Sequence, residues 1–279
     1  MKNEILEKSR EIFKNKTVFI TGGAKNCGKT TLLNSIVESY RGESLFARMS
    51  IGIDGEGECA VFGIPKPSIF LEENDYVVTT DECLRKSDIV FEYIDVFPYK
   101  TALGKIVFAR AMRQGQVEIV GPENNSQLWS IIKYIKDYGI KTVFVDGAVN
   151  RITQISSFDE SAVFVHVFMM KPETVEKDKE SIELLNIYKT IPVAENNLDF
   201  YYIDGIITLS KIEKIPENTE NIVIEDFTKI FLTLNEFKKL NKKYKVYFKY
   251  PLKESYIHIN TKDIKAVSNK GTVSKLISE

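Results

Sequence analysis

Eight consecutive residues, Gly23-Ala-Lys-Asn-Cys-Gly-Lys-Thr30, constrain this chain more than any others. They match G-x-x-x-x-G-K-[ST] at every fixed position. The flanks fit the pattern. Thr17-Val-Phe-Ile-Thr21 is a short apolar, β-branched run and reads as a buried strand. Leu32, Leu33, Ile36, Val37 and Tyr40 recur at helical spacing, and Gly42 supplies a stop. A glycine-rich turn holding a chance lysine is the plainer reading, but it does not require strand, loop and helix in this order. Gly23 and Gly28 let the backbone curl until successive N–H groups converge on phosphate oxygens. The helix start adds the positive end of its dipole. Lys29 brings a mobile charge for the β- and γ-phosphates, and Thr30 a hydroxyl for Mg²⁺. Gly23, Ala24, Lys25, Asn26, Cys27, Gly28, Lys29, Thr30 and Thr31 are expected to surround the phosphates of ATP or GTP.

Such a Walker A loop needs an acidic group near its metal. Lys141-Thr-Val-Phe-Val-Asp146-Gly147 is an apolar strand ending in a carboxylate, expected to reach the metal through water. The helix before it carries Leu128, Ile131, Ile132 and Ile135 on one face and ends at Gly139. Ligands collect at the carboxyl ends of such strands, although Asp146-Gly147 also suits a simple turn. Asp54 and Glu56 follow the second strand, Ser44 to Met49. Asp54 is expected to orient the attacking water, with a hairpin at Asp54-Gly55 as the alternative. Arg151 is expected to sense the γ-phosphate or serve as an arginine finger; a solvated loop arginine is the competing reading. Ser210-Lys-Ile-Glu213 is a degenerate form of the guanine-reading N-K-x-D pattern and assigns no base.

The fold class expected is α/β: a P-loop NTPase domain over 1–279 with a mostly parallel, doubly wound sheet. An antiparallel β-rich insertion is expected over about 51–120 and an α/β extension over about 200–279. Ala162–Phe168 reads as a central strand, with His166 as a core histidine. Pro172 opens a helix to about Tyr188. Asp204–Leu209, Tyr244–Lys249 and Ser255–Asn260 read as strands, and Gln114-Gly115 as a hairpin turn between 105–109 and 117–120.

Thirty-eight basic residues against 39 acidic leave a formal net charge of -1, which argues against coating nucleic acid by bulk electrostatics. No apolar run reaches the roughly 18 residues of a membrane span, and the charged start lacks a signal peptide's apolar stretch. Cys27, Cys59 and Cys83 form no CxxC pair, so a reduced, cytoplasmic chain is expected.

Lys25-Asn-Cys-Gly-Lys-Thr-Thr31 resembles the loop of the MobB-like branch of P-loop proteins, which includes GTP-binding metallocofactor-maturation factors. The signature lysine of the deviant Walker A subclass would fall at Ala24. A longer set of segments is similar to another family: Ser50–Glu56, Pro65–Ser68, Val78–Thr80, Thr101–Gly104, Val117–Pro122 and Val145–Arg151. That family comprises the smaller subunit of the reactivating factor for lysine 5,6-aminomutase, an adenosylcobalamin- and pyridoxal-phosphate-dependent enzyme. The resemblance implies a nucleotide-driven chaperone, a reactivase. It would work with a larger MutS-like ATPase subunit to release damaged cobalamin from the mutase. The cobalamin signature D-x-H-x-x-G is absent here. The function expected is partner-stimulated NTP hydrolysis with Mg²⁺ by Lys29, Asp54, Asp146 and Arg151. The alternatives are a small-molecule kinase of the same fold and a non-hydrolysing nucleotide-dependent scaffold.

Overall fold

The computed structural model describes residues 10–22, 27–42, 44–51, 69–147, 161–195, 199–252 and 254–261. Asp54, Arg151 and residues 23–26 lie outside them.

The expected strand and helix around the glycine loop are β1 (Thr17–Gly22) and α1 (Lys29–Tyr40). β2 follows at Phe46–Ser50, shifted slightly from the expected span. Next come β3 (Ile69–Leu71), β4 (Tyr76–Thr80), α2 (Asp81–Lys86), β5 (Phe91–Thr101), β6 (Gly104–Ala111) and β7 (Gly115–Val117). α3 (Asn125–Asp137) leads to β8 (Thr142–Asp146), then β9 (Ala162–Met170) and α4 (Val175–Lys189). The chain continues through β10 (Tyr201–Ile203), α5 (Leu209–Ile212), β11 (Asn221–Ile224) and a 3₁₀ turn at Phe227–Lys229. The described residues end with α6 (Leu234–Lys243), β12 (Lys245–Phe248) and β13 (Ser255–Thr261).

The fold is α/β, built on an eight-stranded, mostly parallel sheet of order β13-β9-β1-β8-β2-β4-β6-β5. Its first six strands run parallel; β6 is antiparallel to β4, and β5 is antiparallel to β6. Central strands covered on both faces read as continuous apolar runs, which is why Val18–Ile20, Val143–Val145 and Ala162–Val167 show no alternation. On one face, Val18, Ile20, Phe144 and Val165 pack against Leu33, Ile36, Val37 and Tyr40 of α1. On the other, Phe19, Val143, Val145 and Phe164 pack against Leu128, Ile131, Ile132 and Ile135 of α3 and against the C-terminal helices. Each fully buried Leu, Ile or Phe of this kind contributes about 1.5–3 kcal/mol. Asn124 starts α3 by accepting the Gln127 N–H at 3.0 Å, and Gly139 at φ +112° ends it.

Two expectations, one turn and one strand, are corrected. Gln114-Gly115 makes no hairpin: β7 pairs antiparallel with β3 instead, and the real hairpin joins β5 to β6. Asp204–Leu209 is not a strand. The strand lies earlier, at β10, and only Ile207 bridges to Ile230 before α5 begins. Ile203 and Ile207 are buried, but Asp204-Gly205 between them forms a turn with Gly205 at φ +66°.

After residue 200 the chain does two things. β10, β11 and β12 form a separate three-stranded parallel sheet, whereas β13 returns to the main sheet beside β9. The side chains Leu185, Tyr188, Phe227, Phe237 and Phe248 join the small sheet to the same core that holds α3.

Candidate functional site at the carboxyl end of the sheet

β1 and β8 are direct parallel neighbours, with Ile20 opposite Asp146, and β2 flanks β8 with Ser50 opposite Asp146. The carboxyl ends of all three strands therefore meet at one level. Backbone bonds lock them: Gly147 N–H donates to the Ile20 carbonyl at 3.2 Å, and Ile51 N–H to the Asp146 carbonyl at 3.1 Å.

The start of α1 follows from a backbone device. Gly28 sits at φ 93°, ψ 18°, a left-handed conformation that costs glycine nothing. Its carbonyl accepts the Leu32 N–H at 2.9 Å, closing the first helical turn. No side chain caps α1, which leaves the first amides without a side-chain acceptor from the N-cap residue. Gly22 is needed for a different reason. A Cβ there would stand 2.3 Å from Cys27 Sγ and 3.0 Å from Lys29 Cδ. The Lys29 chain thus lies back over the end of β1, and Cys27 fills the space beside it.

Thr30 is half-buried on the first turn of α1, and its hydroxyl donates to Asp146 Oδ2 at 3.3 Å. Asp146 is buried, on the α1 side of the sheet, as Phe144 two residues earlier requires. The fold thus brings Thr30 and Asp146 into contact across 116 positions of sequence. Thr31 points to solvent and holds Ser35 through its carbonyl. Cys27 is buried in the α1 core, which fits a small packing residue. Gly28, Lys29 and Thr30 stand with it at the carboxyl edge. The remaining loop residues, Gly23, Ala24, Lys25 and Asn26, lie outside the described residues, as do Asp54 and Arg151.

Among the described residues no group of three or more His, Cys, Asp or Glu side chains forms a metal cluster. Mg²⁺ does not need one. It keeps several waters and takes one or two protein oxygens plus phosphate oxygens. The Thr30 hydroxyl and the Asp146 carboxylate fit that demand.

Sequence reasoning missed two supports. The first is the approach of Gly121 to β2: a Cβ there would lie 1.6 Å from the Ser50 carbonyl oxygen. Thr79 holds that segment, accepting the Val120 N–H at 3.0 Å and donating to the Glu118 carbonyl at 2.8 Å. Only the Gly121-Pro122 dipeptide signals it. The second is Arg48, fully buried on β2. Burial pushes its guanidinium down to about 10, against the attraction of Asp75, so it stays charged at neutral pH. A lone charge within an otherwise apolar strand was its signal.

His166 is a core histidine, as expected. It stands on β9 opposite Thr21, with Nδ1 2.9 Å from the Thr21 hydroxyl, and burial pushes it down to about 3. Ser210 and Lys211 engage locally, with the Thr208 hydroxyl and the Asp204 carbonyl. Among the described residues no helix is long and apolar enough to cross a membrane. Comparison with known protein families, curated proteins and solved structures gave no match.

Proposed function

We propose that this chain is a P-loop NTPase that binds ATP or GTP with Mg²⁺ at the carboxyl end of β1 and hydrolyses it. The observation that carries the reading is the Thr30–Asp146 contact at 3.3 Å, made where α1 begins and β8 ends. A hydroxyl on the first turn and a strand-end carboxylate are the two oxygen groups that a phosphate-bound Mg²⁺ requires. Lys29 and the amides opening α1 hold the phosphates. Thr30 would hold the metal directly and Asp146 through water, and the metal would offset charge on the phosphate oxygens. Water attacks the γ-phosphorus as the bond to the β-γ bridging oxygen breaks; NDP and inorganic phosphate leave, and the water's proton passes to the departing phosphate or to solvent. Asp54 orients that water and Arg151 senses the γ-phosphate.

The biological role we propose follows the resemblance of the segments between Ser50 and Arg151 to the reactivase family. Together with a larger MutS-like ATPase subunit, the chain would use NTP hydrolysis to open an adenosylcobalamin-dependent aminomutase and release inactive cofactor. A nucleotide can do this only by binding the open and closed assemblies with different affinity.

Calorimetry with ATP and GTP, with Mg²⁺, on wild type and Lys29→Ala tests the first part. Binding of one nucleotide, lost in Lys29→Ala, is expected. Absence of binding to wild type, alone and with the mutase and large subunit present, refutes it. Phosphate appearing on a metabolite rather than in solution would identify a kinase instead. Restored turnover of inactivated mutase upon NTP addition tests the second part.

A further inference from the structure

β2 sends Phe46, Arg48 and Ser50 toward α1, and Ala47, Met49 and Ile51 toward the α3 face. Arg48 is anomalous in that stripe. It is 1% exposed. Its Nη2 donates to Asn34 Oδ1 at 2.6 Å and its Nη1 to the Phe70 carbonyl at 3.3 Å. Both acceptors are neutral. Its Nε is buried and makes no hydrogen bond among the described residues. A buried guanidinium ordinarily meets a carboxylate fork to fork, because an unpaired interior charge is expensive. Here Asp75 and Asp146 attract it without forming an ion pair, and Asp75 is itself paired with Arg41 at 3.0 Å.

The charge lies under the nucleotide site. Asn34 is four residues past Thr30 on α1, one turn down the same face. Arg48 stands opposite Phe144, two residues before Asp146 on β8. The guanidinium is therefore one helical turn and two strand residues beneath the Thr30–Asp146 contact.

We propose that Arg48 is a positioning residue of the nucleotide site: it clamps α1 to β2 through Asn34 and holds, beneath the bound triphosphate, a positive charge that no ion pair among the described residues engages. This inference rests on the nucleotide reading above. The clamp fixes the turn that carries Thr30. The charge favours anionic ligands in proportion to their phosphates, and its burial keeps water from screening it.

The test compares wild type, Lys29→Ala, Arg48→Met and Arg48→Lys by calorimetry with the di- and triphosphate of whichever nucleoside binds, alongside thermal unfolding. Arg48→Met keeps apolar bulk and removes the charge; it is expected to weaken triphosphate binding about ten-fold or more, and diphosphate binding less. Arg48→Lys keeps the charge and is expected to stay within about three-fold of wild type. Equal losses for di- and triphosphate, or for Met and Lys, reduce Arg48 to a structural clamp and overturn the inference. So does wild-type affinity in Arg48→Met. If Arg48→Met does not fold, Asn34→Asp serves, because it hands the guanidinium a carboxylate at the existing contact. Weakened triphosphate binding with undiminished thermal stability is expected, and unchanged binding refutes the inference. Wild type that binds while Lys29→Ala does not, with Arg48→Met unaffected, fails only this inference. Wild type that binds nothing fails the nucleotide reading itself.

Discussion

Gly121→Ala isolates the support behind the site. Alanine normally replaces glycine at little cost, and at a compatible backbone angle it stabilises by about 0.4–1 kcal/mol through the unfolded chain. Gly121 has no positive φ to obstruct the change. The obstacle is backbone: the new Cβ would meet the Ser50 carbonyl oxygen at 1.6 Å, its carbon at 2.4 Å and the Ile51 nitrogen at 3.0 Å. An ordinary carbon–oxygen contact is at least about 3.4 Å, so one backbone must retreat by about 1.8 Å. Neither is free to do so. Val120 beside it is pinned by Thr79, and Ile51 N–H holds the Asp146 carbonyl. Overpacking ordinarily costs about 1–3 kcal/mol, and a clash with backbone held on both sides puts this one at the upper end, about 3 kcal/mol. For 279 residues an unfolding entropy of about 0.6 kcal/mol per kelvin converts that to a loss of about 5 °C in Tm. Urea denaturation should show a lower midpoint at unchanged slope. Gly42→Ala and Gly139→Ala are the controls. Both sit at positive φ with nothing within 4 Å, so each should cost about 1 kcal/mol from backbone conformation alone. Gly121→Ala within 1 kcal/mol of wild type would refute the close approach and the reasoning built on it.

Two further outcomes are expected. Thr30→Ala removes the hydroxyl donated to Asp146 and should lower Mg-dependent nucleotide affinity about 10–100-fold, while Thr30→Ser retains it; calorimetry with Mg²⁺ and with EDTA separates the metal contribution. His166 is neutral when folded, held near 3 by burial and secondarily by Lys189, whereas the unfolded chain protonates it near 6.5. The unfolded state thus binds more protons between those values. Stability from this group is complete above about pH 6.5 and falls as pH drops toward 3, with a slope of up to about 1.4 kcal/mol per pH unit. His166→Gln should flatten that part of the denaturation-versus-pH curve, and an unchanged curve counts against it.

What was legible in the chain divides by range. β1, α1, α3, β8 and β9 could be read because their signals are local: a long apolar run or a 3.6-residue stripe survives any tertiary context. The Thr30–Asp146 meeting was legible for a similar reason, since both groups stand at the carboxyl ends of recognisable elements. The turn at Gln114-Gly115 misled because glycine there serves a close contact with Asp88 and Ile89 instead of a hairpin. Asp204–Leu209 misled because only Ile207 of its apolar residues is buried, through a single bridge to Ile230, while Ile206 and Leu209 stay exposed beside a turn and a short helix. Arg48 and Gly121 matter through partners 14 and 71 positions away, Asn34 and Ser50, and no local pattern encodes such pairings. The placement of β13 beside β9 is of the same kind, because strand order depends on how distant segments meet.

That last pairing also sets a timetable. β9 has β1 on one side and β13 on the other, and Met170 precedes Ser255 by 85 positions. At roughly 5–20 residues per second, a ribosome needs about 4–17 s to supply the second neighbour. Throughout that interval an almost wholly apolar strand, Ala162-Val-Phe-Val-His-Val-Phe-Met-Met170, holds one edge of unpaired N–H and C=O groups open to other chains. The last strand among the described residues is thus the one that seals this apolar edge of the nascent protein.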